Sequence, residues 1–119
     1  MHSAVEDWLG EFQESDRESV LLIRIAIEQL AEEGPTAKRP LVDHIKGSRF
    51  HNMKELRPGS SGRSEVRILF AFDPRRAAIL LVAGDKCGKW QSWYRKAIRL
   101  ADQRFAERLE SLERADGDE

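Results

Sequence analysis

The segments NMKELR (52–57), SEVRILFAFD (64–73) and AAILLVAGDK (77–86) read as three short strands, and their reading decides the fold. The middle segment alternates. Val66, Ile68, Phe70 and Phe72 fall on one face of a strand, and Glu65, Arg67, Leu69 and Ala71 on the other. On this reading one face packs a core while the other carries Arg67 out of the same rigid sheet. Pro58-Gly59-Ser60-Ser61-Gly62 makes a turn or flexible loop, and Pro74-Arg75-Arg76 a tight turn. Ala77 to Gly84 is nearly all apolar, as suits a strand in mid-sheet or covered on both sides. Lys54, Arg57, Arg63, Lys86 and Lys89 lie at the strand ends and loops. The expectation is a packed sheet with a basic, partly exposed face fitted to a polyanion.

Helical patterns flank the strands. Val5, Trp8, Leu9 and Phe12 recur at helical spacing, which predicts a short helix over about 4–12. Ser15-Asp16 supplies a cap, and Val20, Ile23, Ile27, Leu30 and Ala31 form the stripe of a second helix over 17–33. Gly34-Pro35 stops it. The stretch 36–51 reads as a basic connection with at most a turn of helix, because Pro40 and Gly47-Ser48 interrupt it. A long last helix is predicted from Trp90 to about Leu112, with Tyr94, Ile98, Ala101, Phe105 and Leu112 in one sector. The acidic tail 114–119 is expected to be disordered, which leaves residues 1–113 as a single domain.

Composition narrows the function. A chain of 119 residues, 40% hydrophobic, builds one core, and no run approaches the length of a membrane span. Its single cysteine, Cys87, excludes an internal disulfide and a cysteine-rich zinc site, so a reducing cytoplasmic setting is the default. The net charge of −1 conceals a strong asymmetry. Residues 1–35 hold two basic and nine acidic side chains; residues 36–108 hold seventeen basic and seven acidic; residues 109–119 hold one basic and five acidic. A basic middle between acidic ends is an electrostatic footprint for nucleic acid.

Individual motifs exclude more than they assert. Gly84-Asp85-Lys86-Cys87-Gly88-Lys89 is one residue short of a phosphate loop, and Trp90 stands where a magnesium-holding Ser or Thr belongs. It remains a glycine-bounded loop with two lysines at a strand end. His2, His44 and His51 have no partner at a ligand spacing, which argues against a metal site, and no base marks Cys87 as a nucleophile. Arg75, Arg76, Arg95 and Arg99 read as ordinary surface charges. Trp90, Trp93 and Tyr94 begin the last helix beside the lysine loop; aromatics at such spacing are mostly core, and one that is not offers a base a stacking surface.

Asn52-Met53-Lys54-Glu55-Leu56-Arg57, the Gly-Ser-Ser-Gly-Arg-Ser run and Val66 to Asp73 together resemble the RelE/ParE superfamily of type II toxin–antitoxin systems. Leu-Leu-Val-Ala-Gly-Asp-Lys, Trp90, Trp93-Tyr94 and Ile98 to Asp102 resemble its HigB-like, phage Gp49-related branch. The resemblance extends from about Val5 to Leu109. It implies an α+β fold with an antiparallel RelE-like sheet, an N-terminal helical hairpin and a C-terminal helix. Members usually begin with a strand. Here Met1-His2-Ser3 leads directly into the first helix, so three strands and an uncovered sheet edge are expected.

The resemblance also implies a ribosome-dependent mRNA endoribonuclease, neutralised by a cognate helix-turn-helix antitoxin. It needs neither metal nor cofactor. The 2′-hydroxyl attacks the adjacent phosphorus, and the step requires a base, help for the leaving oxygen and positive charge on the phosphorane. Lys54 is the expected base, its pKa lowered by neighbouring cations. Arg67 and Lys86 are expected on the phosphate, with Tyr94 as proton donor or stacking group. Arg57, Arg63, Lys89 and Trp90 are the expected RNA contacts. Two rival readings are a ParE-like toxin acting on DNA gyrase and an inactive or regulatory remnant.

Overall fold

The computed structural model describes residues 1–59, 62, 64–88 and 90–117. The chain forms α1 (Ser3–Ser15), α2 (Arg17–Glu33), a 3₁₀ turn (Gly34–Thr36), β1 (Val42–His44), β2 (Lys54–Leu56), β3 (Val66–Phe72), β4 (Ala78–Asp85) and α3 (Trp90–Gly117). The strands make one antiparallel sheet in the order β1-β2-β3-β4.

The sheet lies between two helical layers. On one side Val5 and Leu9 of α1, with Ile23 and Leu30 of α2, pack on Ile68 and Phe70. On the other, Ala97, Ala101 and Phe105 of α3 pack on Met53, Leu69, Ala71 and Leu81. Alternation along β3 is as read, but the face that bears Arg67 is not open. Leu69 and Ala71 are apolar on that side, and the stripe of α3 needs a surface to bury, so the two cover each other.

Four strands stand where three were expected. β1 lies inside the connection read as loop, with Val42, Asp43 and His44 opposite Leu56, Glu55 and Lys54. Its three residues are too few for their periodicity to outweigh the neighbouring proline and glycine, and pairing with β2 is a long-range choice. No strand precedes α1 among the described residues. His2 N–H instead donates to Leu80 O at 2.9 Å, touching the outer side of β4. The acidic stretch from residue 114 begins within the last helix. α3 continues through Gly117, carried by Glu113, Arg114 and Ala115, all tolerated in helices, and by an i,i+4 contact between Arg114 and Glu110 at 3.9 Å.

Three local devices set the frame. Asp16 caps α2 by accepting from Ser19 N–H (3.1 Å) and Ser19 Oγ (2.7 Å), and Ser64 Oγ donates to the same carboxylate at 3.2 Å. The helix start is thereby tied to the approach to β3. β4 carries a bulge: Leu69 faces Val82 but Phe70 faces Leu80, which leaves Leu81 as the extra residue. Leu81 and Val82 both enter the α3 core as a result, and Arg104 Nη1 donates to the Leu81 carbonyl at 2.6 Å. Last, a Cβ added at Gly84 would run into the Trp93 indole, so only glycine lets the ring lie on the strand there.

Candidate functional site

Strand β2 divides its side chains by the period of two. Lys54 and Leu56 face the helical hairpin, while Met53 and Glu55 face α3. Glu55 lies across from Leu69, two residues from Arg67 on the same face. Extending that register by one step sets Arg57 opposite Arg67. Two arginines so placed repel, and the Glu55 carboxylate beside them offsets the charge.

Glu55 is 6% exposed. Its Oε2 accepts from Tyr94 Oη at 2.5 Å, and its Oε1 lies 3.9 Å from Arg57 Nε. Arg67, 9% exposed, donates from Nη1 to the Val66 carbonyl at 2.8 Å, and its Nε has no hydrogen-bond partner among the described residues. A buried guanidinium with a spare donor is an unusual thing to leave in a core. Burial, then the hydrogen bond to Glu55 and its charge, push the Tyr94 phenol well above the usual range; Arg67 opposes the shift. Tyr94 is therefore a neutral phenol that donates a hydrogen bond to Glu55.

Two further elements complete the site. Lys86 follows β4, with Nζ 5.5 Å from the Tyr94 ring centroid and 3.8 Å from Glu65 Oε2. Asp85 shapes that turn, since its Oδ1 accepts from Glu65 N–H (2.9 Å) and Cys87 N–H (3.1 Å). Trp93, seated on Gly84, holds Tyr94 edge-to-face at 5.0 Å between ring centroids. Tyr94, Lys86 and Arg57 are partly exposed, whereas Glu55 and Arg67 are buried beside them.

The expected residues thus divide. Arg57, Arg67, Lys86 and Tyr94 come together. Lys54 does not: it faces the other way, with Nζ 5.8 Å from the Phe72 ring centroid, so the expected lysine base is separated from Tyr94 by the sheet. Arg67 does not project from an open face, because α3 covers it. Trp90 is 56% exposed at the start of α3. Arg63 and Lys89 lie outside the described residues. Sequence reasoning missed Glu55; its signal was parity, since residues 53, 55 and 57 share one strand face. Among the described residues no cluster of three His, Cys, Asp or Glu side chains is placed to hold a metal. No helix there is long and apolar enough to cross a membrane.

Residues 7–106 match the family described as phage derived protein Gp49-like. The chain is 61% identical over 98 residues to the Mycobacterium tuberculosis (strain ATCC 25618 / H37Rv) protein named "Putative toxin HigB2", covering 82% of this chain and 49% of that protein. It therefore spans about half the length of that relative. It is 51% identical over 100 residues to "Putative toxin HigB3" of the same organism, covering 84% of this chain and 82% of that protein. No solved structure matches. With a family model spanning most of its length and two relatives more than half identical to it, the chain belongs to the phage-derived Gp49-like family, in its HigB-like branch.

Proposed function

We propose that this chain is the toxin of a toxin–antitoxin system and a ribosome-dependent endoribonuclease that cuts mRNA by metal-independent attack of the 2′-hydroxyl. The observation that carries the reading is the Tyr94–Glu55 hydrogen bond set among Arg57, Arg67 and Lys86. It joins a proton relay to a concentration of positive charge, which are the two requirements of this chemistry.

The step balances as follows. The 2′-oxygen attacks phosphorus while its proton passes to the Tyr94 oxygen, and the Tyr94 proton moves to Glu55 Oε2. The O2′–P bond forms and the P–O5′ bond breaks, with the Lys86 ammonium protonating the departing 5′-oxygen. The products are a 2′,3′-cyclic phosphate and a 5′-hydroxyl. Arg57 and Lys86 meet the phosphorane oxygens, and buried Arg67 adds its field from a region of low dielectric, where charge acts strongly. Tyr94 replaces Lys54 at the 2′-hydroxyl. Exposed Trp90 offers a base a stacking surface. The ribosome positions the message, and a cognate helix-turn-helix antitoxin restrains the toxin in the cytoplasm.

Primer extension on mRNA undergoing translation tests this. Wild-type protein produces codon-linked 5′-hydroxyl ends, and Tyr94→Phe produces almost none. Growth arrest without any such ends, together with gyrase-linked DNA breaks, would overturn the reading in favour of a ParE-like poison.

A further inference from the structure

Lys54, excluded from the Tyr94 site, has a place of its own. With Lys38 and His44 it lines an open hollow of about 310 Å³ at the β1 edge of the sheet, over buried Ala37 and Val42. Lys54 and His44 are cross-strand partners on one face. None of the three makes a salt bridge among the described residues. The nearby carboxylate is already engaged: Asp43 Oδ1 holds Arg39 Nε at 3.0 Å, and its Oδ2 lies 3.8 Å from Arg57 Nη1. Arg39 first, then the His44 N–H, hold the Asp43 carboxyl below its ordinary range, so it stays committed as an anion. Lys38 and Lys54 thus line the hollow beside Arg39, with its one carboxylate, Asp43, held by arginines, and an incoming anion would meet unpaired positive charge there.

We propose that Lys38, His44 and Lys54 form a second contact for the RNA phosphodiester backbone, on the far side of the β1–β2 ribbon from Tyr94. This rests on the reading of the chain as an RNA-acting protein. Continuity favours RNA over an acidic protein segment. Arg57 at the Tyr94 site and Arg39 at the hollow are joined through Asp43, so positive charge runs round the sheet edge from one cluster to the other. A flexible single strand follows such a path, and its contacts there are to phosphate, which fix register without reading sequence.

The test is fluorescence anisotropy with a fluorescein-labelled single-stranded RNA whose riboses are all 2′-O-methylated, so that no attack occurs. Binding is followed against salt for wild type, Lys38→Gln/Lys54→Gln and the charge-matched control Arg17→Gln/Arg24→Gln on α2. Loss of two phosphate contacts lowers the slope of log K against log salt by ~1.4. The control keeps the wild-type slope, and Lys38→Arg/Lys54→Arg restores it. A double glutamine variant with the wild-type slope overturns the contact. Primer extension with the same proteins separates the two claims. Cleavage with an unchanged slope removes this contact and leaves the nuclease standing; a changed slope without cleavage by wild type does the reverse.

Discussion

The two faces of this sheet are both buried and are built on opposite rules. The hairpin face is filled by Val66, Ile68 and Phe70 against α1 and α2. The α3 face has the same kind of apolar patch in Leu69, Ala71 and Phe105, but one end of it is given to Glu55, Arg67 and Tyr94. The difference separates what holds the fold from what the fold presents. Apolar packing on both sides keeps water away from Glu55 and Arg67, and in that setting charges and hydrogen bonds act with more force than at a surface.

The sharpest way to break the comparison is one substitution on each face. Tyr94→Phe removes the hydroxyl proposed to meet the 2′-hydroxyl: single-turnover cleavage should fall by about 10²–10⁴, and the lost hydrogen bond to buried Glu55 should cost about 1–3 kcal/mol. Phe70→Ala leaves that chemistry untouched but empties the hairpin core, which costs about 3–5 kcal/mol in denaturant unfolding. If Phe70→Ala slowed cleavage by folded protein as much as Tyr94→Phe does, the division between the faces would be lost.

Next in size is Gly84→Ala. The added methyl falls on the Trp93 indole, and overpacking of this kind costs about 1–3 kcal/mol. Because Trp93 braces Tyr94, cleavage should fall by more than the lost stability explains. Wild-type activity in a folded Gly84→Ala protein would show that Trp93 does not position the phenol.

A double-mutant cycle sharpens the comparison on the charged side. Arg67→Met leaves the Glu55 carboxylate less compensated, and Glu55→Leu strands the Tyr94 hydroxyl and the arginines. Each single change costs about 1–3 kcal/mol. The double variant should cost less than the sum, because a buried polar group is most harmful when its partner alone is removed. Strict additivity in urea melts would mean that the two groups do not share one network.

The same contrast explains how much was legible beforehand. α2 was readable to the residue because Asp16 caps it and Gly34 stops it, both local signals. The alternation of β3 was readable because all its positions on the hairpin face are apolar. The orientation of β2 was not. In Asn52 to Arg57, Met53 is apolar on one face and Leu56 on the other, and both prove fully buried, in different cores. Alternation gives no preference there, so whether Lys54 or Glu55 joins Arg67 depended on pairing with β3. Cover over Arg67 was likewise a matter of where α3 docks. A stripe announces that a helix will bury a face without naming the surface that receives it.

The smallest effect is spectroscopic, and it isolates the centre of the charged face. Tyr94 is the only tyrosine in the chain, so tyrosinate absorption at alkaline pH reports on it alone. An ordinary phenol ionises near pH 10. Burial and the bond to Glu55 raise Tyr94 above that, so the folded protein should show little tyrosinate where free tyrosine is half ionised. The sign for stability follows from linkage. A raised phenol favours the neutral form in the folded state, so its contribution is whole below the unfolded value and fades as pH climbs through the folded one. Glu55→Gln removes the adjacent negative charge while keeping an acceptor, and should bring the titration back toward the ordinary phenol range. A titration that Glu55→Gln leaves in place would mean burial alone sets the phenol, and the relay from Tyr94 to Glu55 would lose its physical basis.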